Sequence, residues 1–417
     1  MKVGLYVTSL SPKGAAQARF QAGVFEGLLR HNVGRHHFFV FTDSIPTDFK
    51  DNESFTYVRI RRNGKLEQSW CLFKWQIGRI VMFSCGMLGL SGGRIATLIH
   101  SWRASEPKYY KQLRELGIRL MWYVNGHELL SWLPYISTVW AVNHRIHPMY
   151  PEFSYTRFQF ESSDRGMEQS LAKASYVIAG TEEGKNQIIS LYGAYDKKVR
   201  VIPFPTPVLP FVEGKPASNL EFKFNGPYVF YPARFWPHKN HVVIIAALKV
   251  LRQKWNLTVN AVFSGADEGN LGYVLQYAQA LGVRDQVIYV GEVAEAELVR
   301  LYKGALALVY ASAVGPDNLP PLEAMSVGCP AIVAEVPGAR EQYGDACLFF
   351  HPMDEVALSS LIKLVLDDPL AREALVSKGL YRAKQWSVED YATEIISILD
   401  EFELVARSWG PNDATFT

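Results

Sequence analysis

The feature that most constrains this chain is an alternation of short apolar runs and helical patterns, which occurs twice along its length. The runs are apolar over most of their length, and helical segments such as residues 17–30 separate them. Strands of this kind form parallel sheets that helices cover on both faces. The first half contains the predicted strands VGLYVTSL, HFFVFT, TYVRI, ATLIHSW, IRLMWYV, YISTVWAV, ASYVIAG and VRVIPF. The second half contains YVFYPARF, TVNAVFSG, QVIYVG, LALVYAS, PAIVAE and CLFF.

A segment rich in proline and glycine, residues 203–227, interrupts this alternation and is typical of a linker. With 417 residues, 48% of them hydrophobic, the chain is long enough for two domains that each bury a core. We therefore predict an α/β protein with two Rossmann-like, doubly wound domains that face a central cleft. Ligands of such sheets bind beyond the carboxyl ends of the strands, so the chemistry is expected in that cleft. The predicted boundaries are 1–203 for the first domain, 204–226 for the linker, 227–385 for the second domain and 386–409 for a closing helix.

Charge and cysteine content narrow the class of protein. A net charge of +2 and the lack of a nucleic-acid-reading motif argue against a nucleic-acid partner. The four cysteines, Cys71, Cys85, Cys329 and Cys347, show no metal-ligand spacing, which indicates buried thiols in a reducing compartment. The N-terminal MKVGLYVTSL runs directly into a predicted strand and does not resemble a signal peptide. The expected location is the cytoplasm.

Residues 70–90 form the one stretch that suggests a membrane. Lys74 and Arg79 interrupt it, so its apolar run is too short for a spanning helix, which needs about 20 residues. Two hypotheses stay open for this stretch. It is either a basic, aromatic-rich helix that lies on an anionic bilayer, or a buried core helix of the first domain.

Residues 315–325 read GPDNLPPLEAM and predict the start of a helix near Leu319. Pro320 and Pro321 suit the first helical turn, where their missing N–H groups have no intrahelical partner. The free N–H groups and the positive dipole end can hold an anion, and Glu323 lies about one turn further in. The alternative is an ordinary strand-loop-helix joint with a surface glutamate.

Two other strand ends carry candidate ligand groups. Arg234 and Lys239 follow the strand YVFYPA, and Lys239 is expected to open the next helix. Two cations beside a helix N-terminus suit a diphosphate, although a pair of solvated surface charges is the rival interpretation. Gly14 lies in the loop after the first strand, where a glycine lets the backbone approach a ligand.

Taken together, these motifs resemble a known family. The second half is similar, in the order and spacing of its motifs, to the C-terminal half of retaining glycosyltransferases of the GT-B fold, family 4 (group 1), of the bacterial surface-polysaccharide type. The motifs are RFWPHKN, VFSGADEGN, IYVGEV, the stretch 315–354 and the terminal WSVEDYATEIISILDEF. The resemblance covers nearly all of residues 227–400. The first half fits more loosely, through PKGAAQARFQAGVFEGL and VNHRIHPMYPE. The resemblance implies an acceptor domain, a nucleotide-sugar donor domain, and a last helix that crosses back to the first domain.

The resemblance also implies roles for individual residues. Arg234 and Lys239 match the pair that holds the donor diphosphate and stabilises the departing nucleotide, and Glu323 matches the glutamate that binds the donor ribose. Gly291 and Val293 match the turn that contacts the nucleotide base. The backbone of three further residues is expected to meet the sugar and phosphates: Asn318, Leu319 and Pro320. No Asp-x-Asp motif lies at these strand ends, so neither a metal nor another cofactor is expected.

The chain departs from the family pattern in the second domain. The family has another glutamate eight positions before Glu323, aimed at the transferred sugar, and Gly315 stands there. Asn318 or Asp317 is the expected replacement.

A second departure lies in the first domain, where the family's His-Asp pair appears as Trp140 and Ala141. His144 is the candidate for the polar residue under the reacting sugar, with Arg145 beside it. His100 and His127 also lie near predicted strand ends and remain rivals.

The function implied is the retaining transfer of a hexose, mannose or rhamnose, from a nucleotide diphosphate sugar. The expected acceptor is a glycan, lipid-linked at the inner face of the cytoplasmic membrane, in a pathway such as O-antigen or capsule synthesis. Two alternatives remain open. One is an epimerase or phosphorylase on the same fold, and the other is a non-catalytic sugar-binding protein, which Gly315 and Ala141 would suit.

Overall fold

The computed structural model describes residues 1–7, 16–42, 50–60, 108–125, 133–154, 157–210, 212 and 226–408. Several sequence-based predictions lie outside these residues: Gly14, the segment 70–90, the run ATLIHSW with His100, and His127.

The first domain contains a seven-stranded parallel sheet covered by helices. Its strands are β1 Lys2–Tyr6, β2 His37–Thr42, β3 Phe55–Arg59, β4 Leu120–Tyr123, β5 Tyr135–Thr138, β6 Tyr176–Ala179 and β7 Val199–Val201. Its helices in the described ranges are α1 Ala16–Arg30, α2 Lys108–Glu115, α3 Asn143–Ile146, α4 Pro151–Ser154, α5 Arg157–Lys173 and α6 Glu182–Tyr192. The strand order is β3-β2-β1-β4-β5-β6-β7. The direction of winding therefore reverses between β1 and β4, which is where ligands of doubly wound sheets bind.

Strand β4 shows why these runs become buried strands. Successive side chains of a strand point to opposite faces, so a strand that helices cover on both sides must be apolar throughout. Leu120 and Trp122 join the hydrophobic cluster on one face of the sheet, and Met121 and Tyr123 join the cluster on the other. All four are fully buried. Burying an apolar side chain of this size contributes about 1.5–3 kcal/mol.

The second domain repeats the plan with six parallel strands. They are β8 Tyr228–Pro232, β9 Asn260–Ser264, β10 Val287–Tyr289, β11 Ala307–Tyr310, β12 Ala331–Ala334 and β13 Leu348–Phe350. The helices are α7 His241–Trp255, α8 Leu271–Ala280, α9 Glu295–Gly304, α10 Pro320–Ser326, α11 Ala339–Tyr343, α12 Glu355–Asp367 and α13 Pro369–Lys384. The order β10-β9-β8-β11-β12-β13 reverses between β8 and β11.

A last helix, α14, spans Val388–Ala406 and packs against α1 of the first domain. Ser387 and Asp390 form a capping box at its start, which satisfies two backbone N–H groups. Tyr391, Ile395 and Leu399 are fully buried, and the Tyr391 ring lies 5.8 Å from that of Phe20 on α1. The predicted crossing of the closing helix back to the first domain is therefore confirmed. It spans Val388–Ala406, within the predicted range 386–409.

The start of the predicted linker packs within the first domain. The Phe204 ring lies 5.0 Å from that of Phe20 and 4.3 Å from that of Trp140. Most of the remaining linker, residues 213–225, lies outside the described part. Among the helices that the structure describes, none combines the length and the apolar character needed to cross a bilayer.

Candidate functional site

A cavity of about 450 Å³ lies between the two domains, at the carboxyl ends of β5, β8 and β11. From the first domain its walls include Trp140, Ala141, His144 and Glu152. From the second domain they include His238, Lys239, Gly315, Asp317 and Asn318. The structure thus brings four of the predicted site residues, His144, Lys239, Asp317 and Asn318, into one cavity.

Lys239 supplies a positive charge to this cavity. It lies in a 3₁₀ turn, Pro237–Lys239, after β8, and Asn240 with a φ of 55° separates it from α7. The sequence suggested that Lys239 opens the helix, but the residue lies just before it. Its Nζ lies 3.3 Å from both Tyr310 Oη and Ser312 Oγ. Among the described residues, no carboxylate forms an ion pair with Lys239, so its charge is available to an anion in the cavity.

Arg234 lies outside the cavity walls. Its side chain is half exposed, and its Nη1 donates to Glu268 Oε1 at 2.8 Å. An exposed pair of this kind contributes about 0–1 kcal/mol, so a competing diphosphate can displace the glutamate. The diphosphate role predicted for Arg234 requires this exchange.

The turn that was predicted to contact the base adjoins the loop that carries Arg234. Gly291 has a φ of 73°, and its carbonyl accepts from the N–H of Gly265 at 2.9 Å. Gly265 in turn packs so closely that a Cβ there would come within 2.4 Å of the Ala233 carbonyl oxygen. Val293 is partly buried and packs on the core. The turn lies outside the cavity walls, and its contact with a base stays a prediction.

Glu323 is fully buried in α10 and links the domains. Its Oε1 accepts from Arg19 Nε at 2.9 Å and Nη2 at 2.7 Å, and its Oε2 accepts from Tyr302 Oη at 3.0 Å. Arg19 belongs to α1 of the first domain and Tyr302 to α9 of the second. The helix begins at Pro320 with Leu319 at its N-cap, as the sequence predicted. Ribose binding by Glu323 stays a prediction, and it requires that these donors give way to ribose hydroxyls.

The polar groups of Asn318 are engaged within the protein. Its Oδ1 accepts from Tyr310 Oη at 2.7 Å, and its Nδ2 donates to the Gly315 carbonyl at 2.8 Å. Its backbone N–H donates to Gln342 Oε1 at 2.9 Å. Gly315 has a φ of 107°, where other residues are strained, so a glutamate would not fit this loop conformation. Leu319 is buried, and neither it nor Pro320 lines the cavity.

Asp317 lies between the cavity and the first domain. A Cβ on Gly180 would come within 2.3 Å of Asp317 Oδ1, so this glycine permits the approach of the carboxyl group. Burial, and secondarily the charge of Glu341, raise the pKa of Asp317 well above its ordinary value. Glu341 itself accepts from the N–H of Glu182 at 2.6 Å, at the first turn of α6. The second domain therefore presents two acidic groups to the start of this helix.

His144 lines the cavity and belongs to a network with Asp164 and Tyr192. Its Nε2 lies 2.8 Å from Tyr192 Oη, which donates to Asp164 Oδ1 at 2.9 Å. Burial lowers the pKa of His144, which favours the neutral imidazole. Arg145 points to this network, with Nε and Nη2 at 2.5 and 2.9 Å from the Asp164 carboxylate, and lies outside the cavity walls. Its contacts hold the pKa of Asp164 at about 2.

Two cavity residues, Glu152 and His238, were missed by the sequence reasoning. Glu152 lies in the short helix α4, and its Oε1 accepts from the backbone N–H of His238 at 2.9 Å and from His238 Nδ1. The His238 ring also packs 5.0 Å from that of Phe153. Both residues fall within motifs of the resemblance, YPE and PHK, but no local pattern pairs positions 86 residues apart.

Comparison with known proteins shows a family match in the second domain and a shared fold along the chain. Residues 217–381 match the family described as glycosyl transferases group 1. The chain is 28% identical over 237 residues to the O-antigen chain mannosyltransferase RfbU of Salmonella typhimurium, an alignment that covers 55% of this chain and 62% of that protein.

Two solved structures share the fold along almost the whole chain. A sucrose-phosphate synthase from Thermosynechococcus elongatus is 16% identical, with a TM-score of 0.67 over 97% of this chain and 99% of the other. HepE from Anabaena, in complex with UDP-glucose, is 16% identical, with a TM-score of 0.63 over 96% of this chain and 100% of the other. The predicted GT-B fold and the resemblance to group 1 are thereby confirmed.

Proposed function

We propose that this chain, whose residues 217–381 match the glycosyl transferases group 1 family, is a retaining glycosyltransferase that moves a hexose from a nucleotide diphosphate sugar to a glycan. The observation that carries the proposal is Lys239. Its ammonium group lies in the wall of a cleft at the carboxyl ends of two parallel sheets, without a carboxylate partner among the described residues. A site of that kind favours a compact anion such as a diphosphate.

The proposed reaction breaks the bond between the sugar C1 and the terminal phosphate oxygen. The acceptor hydroxyl oxygen forms the new bond to C1, and its proton is passed to the departing phosphate. Negative charge grows on the diphosphate as the bond breaks, so a cation held beside it lowers the barrier. Lys239 serves this role from within the cavity, and Arg234 joins it when the diphosphate displaces Glu268. We infer that no metal or other cofactor is needed, because these side chains supply the charge.

His144 lines the cavity from the first domain, and its network lies behind it. Burial favours the neutral ring, and the Asp164 and Tyr192 contacts fix its orientation. A neutral, oriented imidazole can hydrogen-bond a sugar hydroxyl without adding charge. We propose this positioning role for His144.

Mannose is the sugar we propose, and O-antigen synthesis is the pathway. The support is the similarity to a protein named an O-antigen chain mannosyltransferase. Because the alignment covers 62% of that protein, the donor and acceptor remain proposals for this chain. A lipid-linked acceptor, a cytoplasmic location and membrane contact through residues 70–90 belong to the same proposal, and those residues lie outside the described part.

Product analysis with a panel of donors tests the function. The protein is incubated with GDP-mannose, TDP-rhamnose or UDP-glucose, with and without a glycan acceptor, and nucleotide release and product mass are measured. Transfer that depends on the acceptor supports the proposal, whereas a new free sugar nucleotide or sugar phosphate would indicate an epimerase or a phosphorylase. Lys239→Met should abolish most turnover. Lys254→Met, an exposed lysine at the far end of α7, is the matched control.

A further inference from the structure

We propose that Glu152 and His238 form the element that recognises the hydroxyl groups of the transferred hexose. Glu152 would supply, from the first domain, the carboxylate that the second domain lacks at Gly315. This inference rests on the proposed function and adds to it a residue pair that determines which sugar is accepted.

The first observation is the state of the Glu152 carboxylate. Its side chain is 4% exposed, yet it borders the cavity that contains Lys239 and Gly315. Oε1 accepts from the backbone N–H of His238 and from its Nδ1. Within the described ranges, the buried Oε2 has no hydrogen-bond partner. A buried carboxylate oxygen without a donor is costly, and it indicates that a donor joins it when a ligand binds.

The second observation is the state of His238. Burial, followed by the charge of Lys239, lowers the pKa of His238, which favours the neutral ring. Nδ1 lies within hydrogen-bond distance of Glu152 Oε1, and because a carboxylate oxygen accepts, the tautomer that fits this contact carries its proton on Nδ1. The rings of Phe153 and Tyr150, both from the first domain, lie 5.0 and 6.1 Å from the imidazole. The histidine is thus fixed between the domains and holds the carboxylate in one orientation.

The third observation concerns the other side chains of the cavity wall that could accept a hydrogen bond from a hexose hydroxyl. Gly315 has no side chain, and the amide of Asn318 is engaged with Tyr310 and with the Gly315 carbonyl. Both carboxyl oxygens of Asp317 are also buried and, within the part of the chain that the structure describes, have no hydrogen-bond partner. The carboxyl group packs against Gly180 of the first domain, however, and burial raises the pKa of Asp317 well above its ordinary value, which favours the uncharged form. Among the described residues that line the cavity, Glu152 is therefore the carboxylate best placed to accept a hydrogen bond from a hexose hydroxyl.

Calorimetric binding of paired probes tests the inference. The parent protein, Glu152→Gln and Glu152→Asp are titrated with GDP-mannose and GDP, and with UDP-glucose and UDP. Glutamine keeps the size of the side chain but loses its charge, and aspartate keeps the charge but shortens its reach. Since hydrogen bonds to charged groups are strong, each variant should bind the nucleotide sugar roughly 10-fold or more weakly. Affinity for the sugar-free nucleotide should stay within about 2-fold of the parent.

Glu373→Gln, an exposed glutamate of α13, serves as the control, and thermal melts without ligand establish that each variant is folded. If a folded Glu152→Gln keeps the parent's preference for nucleotide sugar over nucleotide, the inference is overturned while the proposed function stands. Equal weakening of both probes also overturns it, because that result assigns Glu152 to domain contact alone. If the parent binds none of these probes and no donor of the panel, TDP-rhamnose included, the proposed function fails and the inference fails with it.

Discussion

The pair formed by Arg19 and Glu323 offers a quantitative test of how the two domains are held together. The Glu323 side chain is fully buried and that of Arg19 is 11% exposed, so water screens the pair weakly. Arg19→Met removes the guanidinium and leaves the Glu323 carboxylate with the hydroxyl of Tyr302, 3.0 Å from Oε2. Removing one partner of a buried ion pair costs about 3–5 kcal/mol, because the remaining charge stays desolvated.

Thermal and urea unfolding of the parent and of three variants measure this cost. Arg19→Met should lower the free energy of unfolding by about 3–5 kcal/mol, which corresponds to a Tm decrease of roughly 5–20 °C. Arg19→Met combined with Glu323→Leu should recover a large part of the loss, since no unpaired charge is then left in the core. Arg30→Met, which removes an exposed cation from the same helix α1, should change stability by less than about 1 kcal/mol. An Arg19→Met protein as stable as the Arg30→Met control would refute a buried inter-domain pair.

Three further predictions concern the diphosphate site, acid stability and the last helix. Lys239→Ala should lower both kcat and donor affinity, with a loss of about 2–4 kcal/mol of transition-state free energy in steady-state kinetics. Glu323→Ala should mainly raise the donor KM. Equal kcat for Lys239→Ala and the parent would exclude the role assigned to Lys239. The folded-state pKa of Asp164 is about 2, below its ordinary value of 3.8. The ionised carboxylate therefore stabilises the fold above about pH 4, and this contribution is lost as the pH falls towards 2. Urea unfolding across this range should show a loss of about 1 kcal/mol, after allowance for solvent screening, that is absent from Asp164→Asn. Deleting residues 386–417 should expose apolar surface of the first domain, seen as faster proteolysis of both domains; unchanged resistance would show that α14 is accessory.

The sequence predicted the fold well because the determinants of the strands are local. The predicted runs HFFVFT and IRLMWYV became β2 and β4, and a strand covered on both faces needs nothing but continuous apolar character. The start of α10 was predicted from two adjacent prolines, which a helix accommodates in its first turn because the N–H groups there have no intrahelical partner. Lys239 was found for the same reason, because it follows a strand whose position was already known.

The contacts between the domains could not be predicted in this way. Glu323 was predicted to lie about one turn into the helix, at a ligand site or on the surface, but its partner Arg19 is 304 residues away and belongs to the other domain. Glu152 and His238 likewise meet only when the two sheets face each other. Residue types and spacing specify each domain separately, whereas the contacts of Glu323 with Arg19 and of Glu152 with His238 depend on how the two domains are placed relative to each other.

The most direct test of the central claim is a crystal structure of the protein with GDP-mannose or, if the panel favours another donor, with that nucleotide sugar. The diphosphate is expected within hydrogen-bond distance of Lys239 Nζ, with the hexose in the cavity between His144 and Glu152. A nucleotide sugar bound elsewhere, or one whose diphosphate makes no contact with Lys239, would contradict the account.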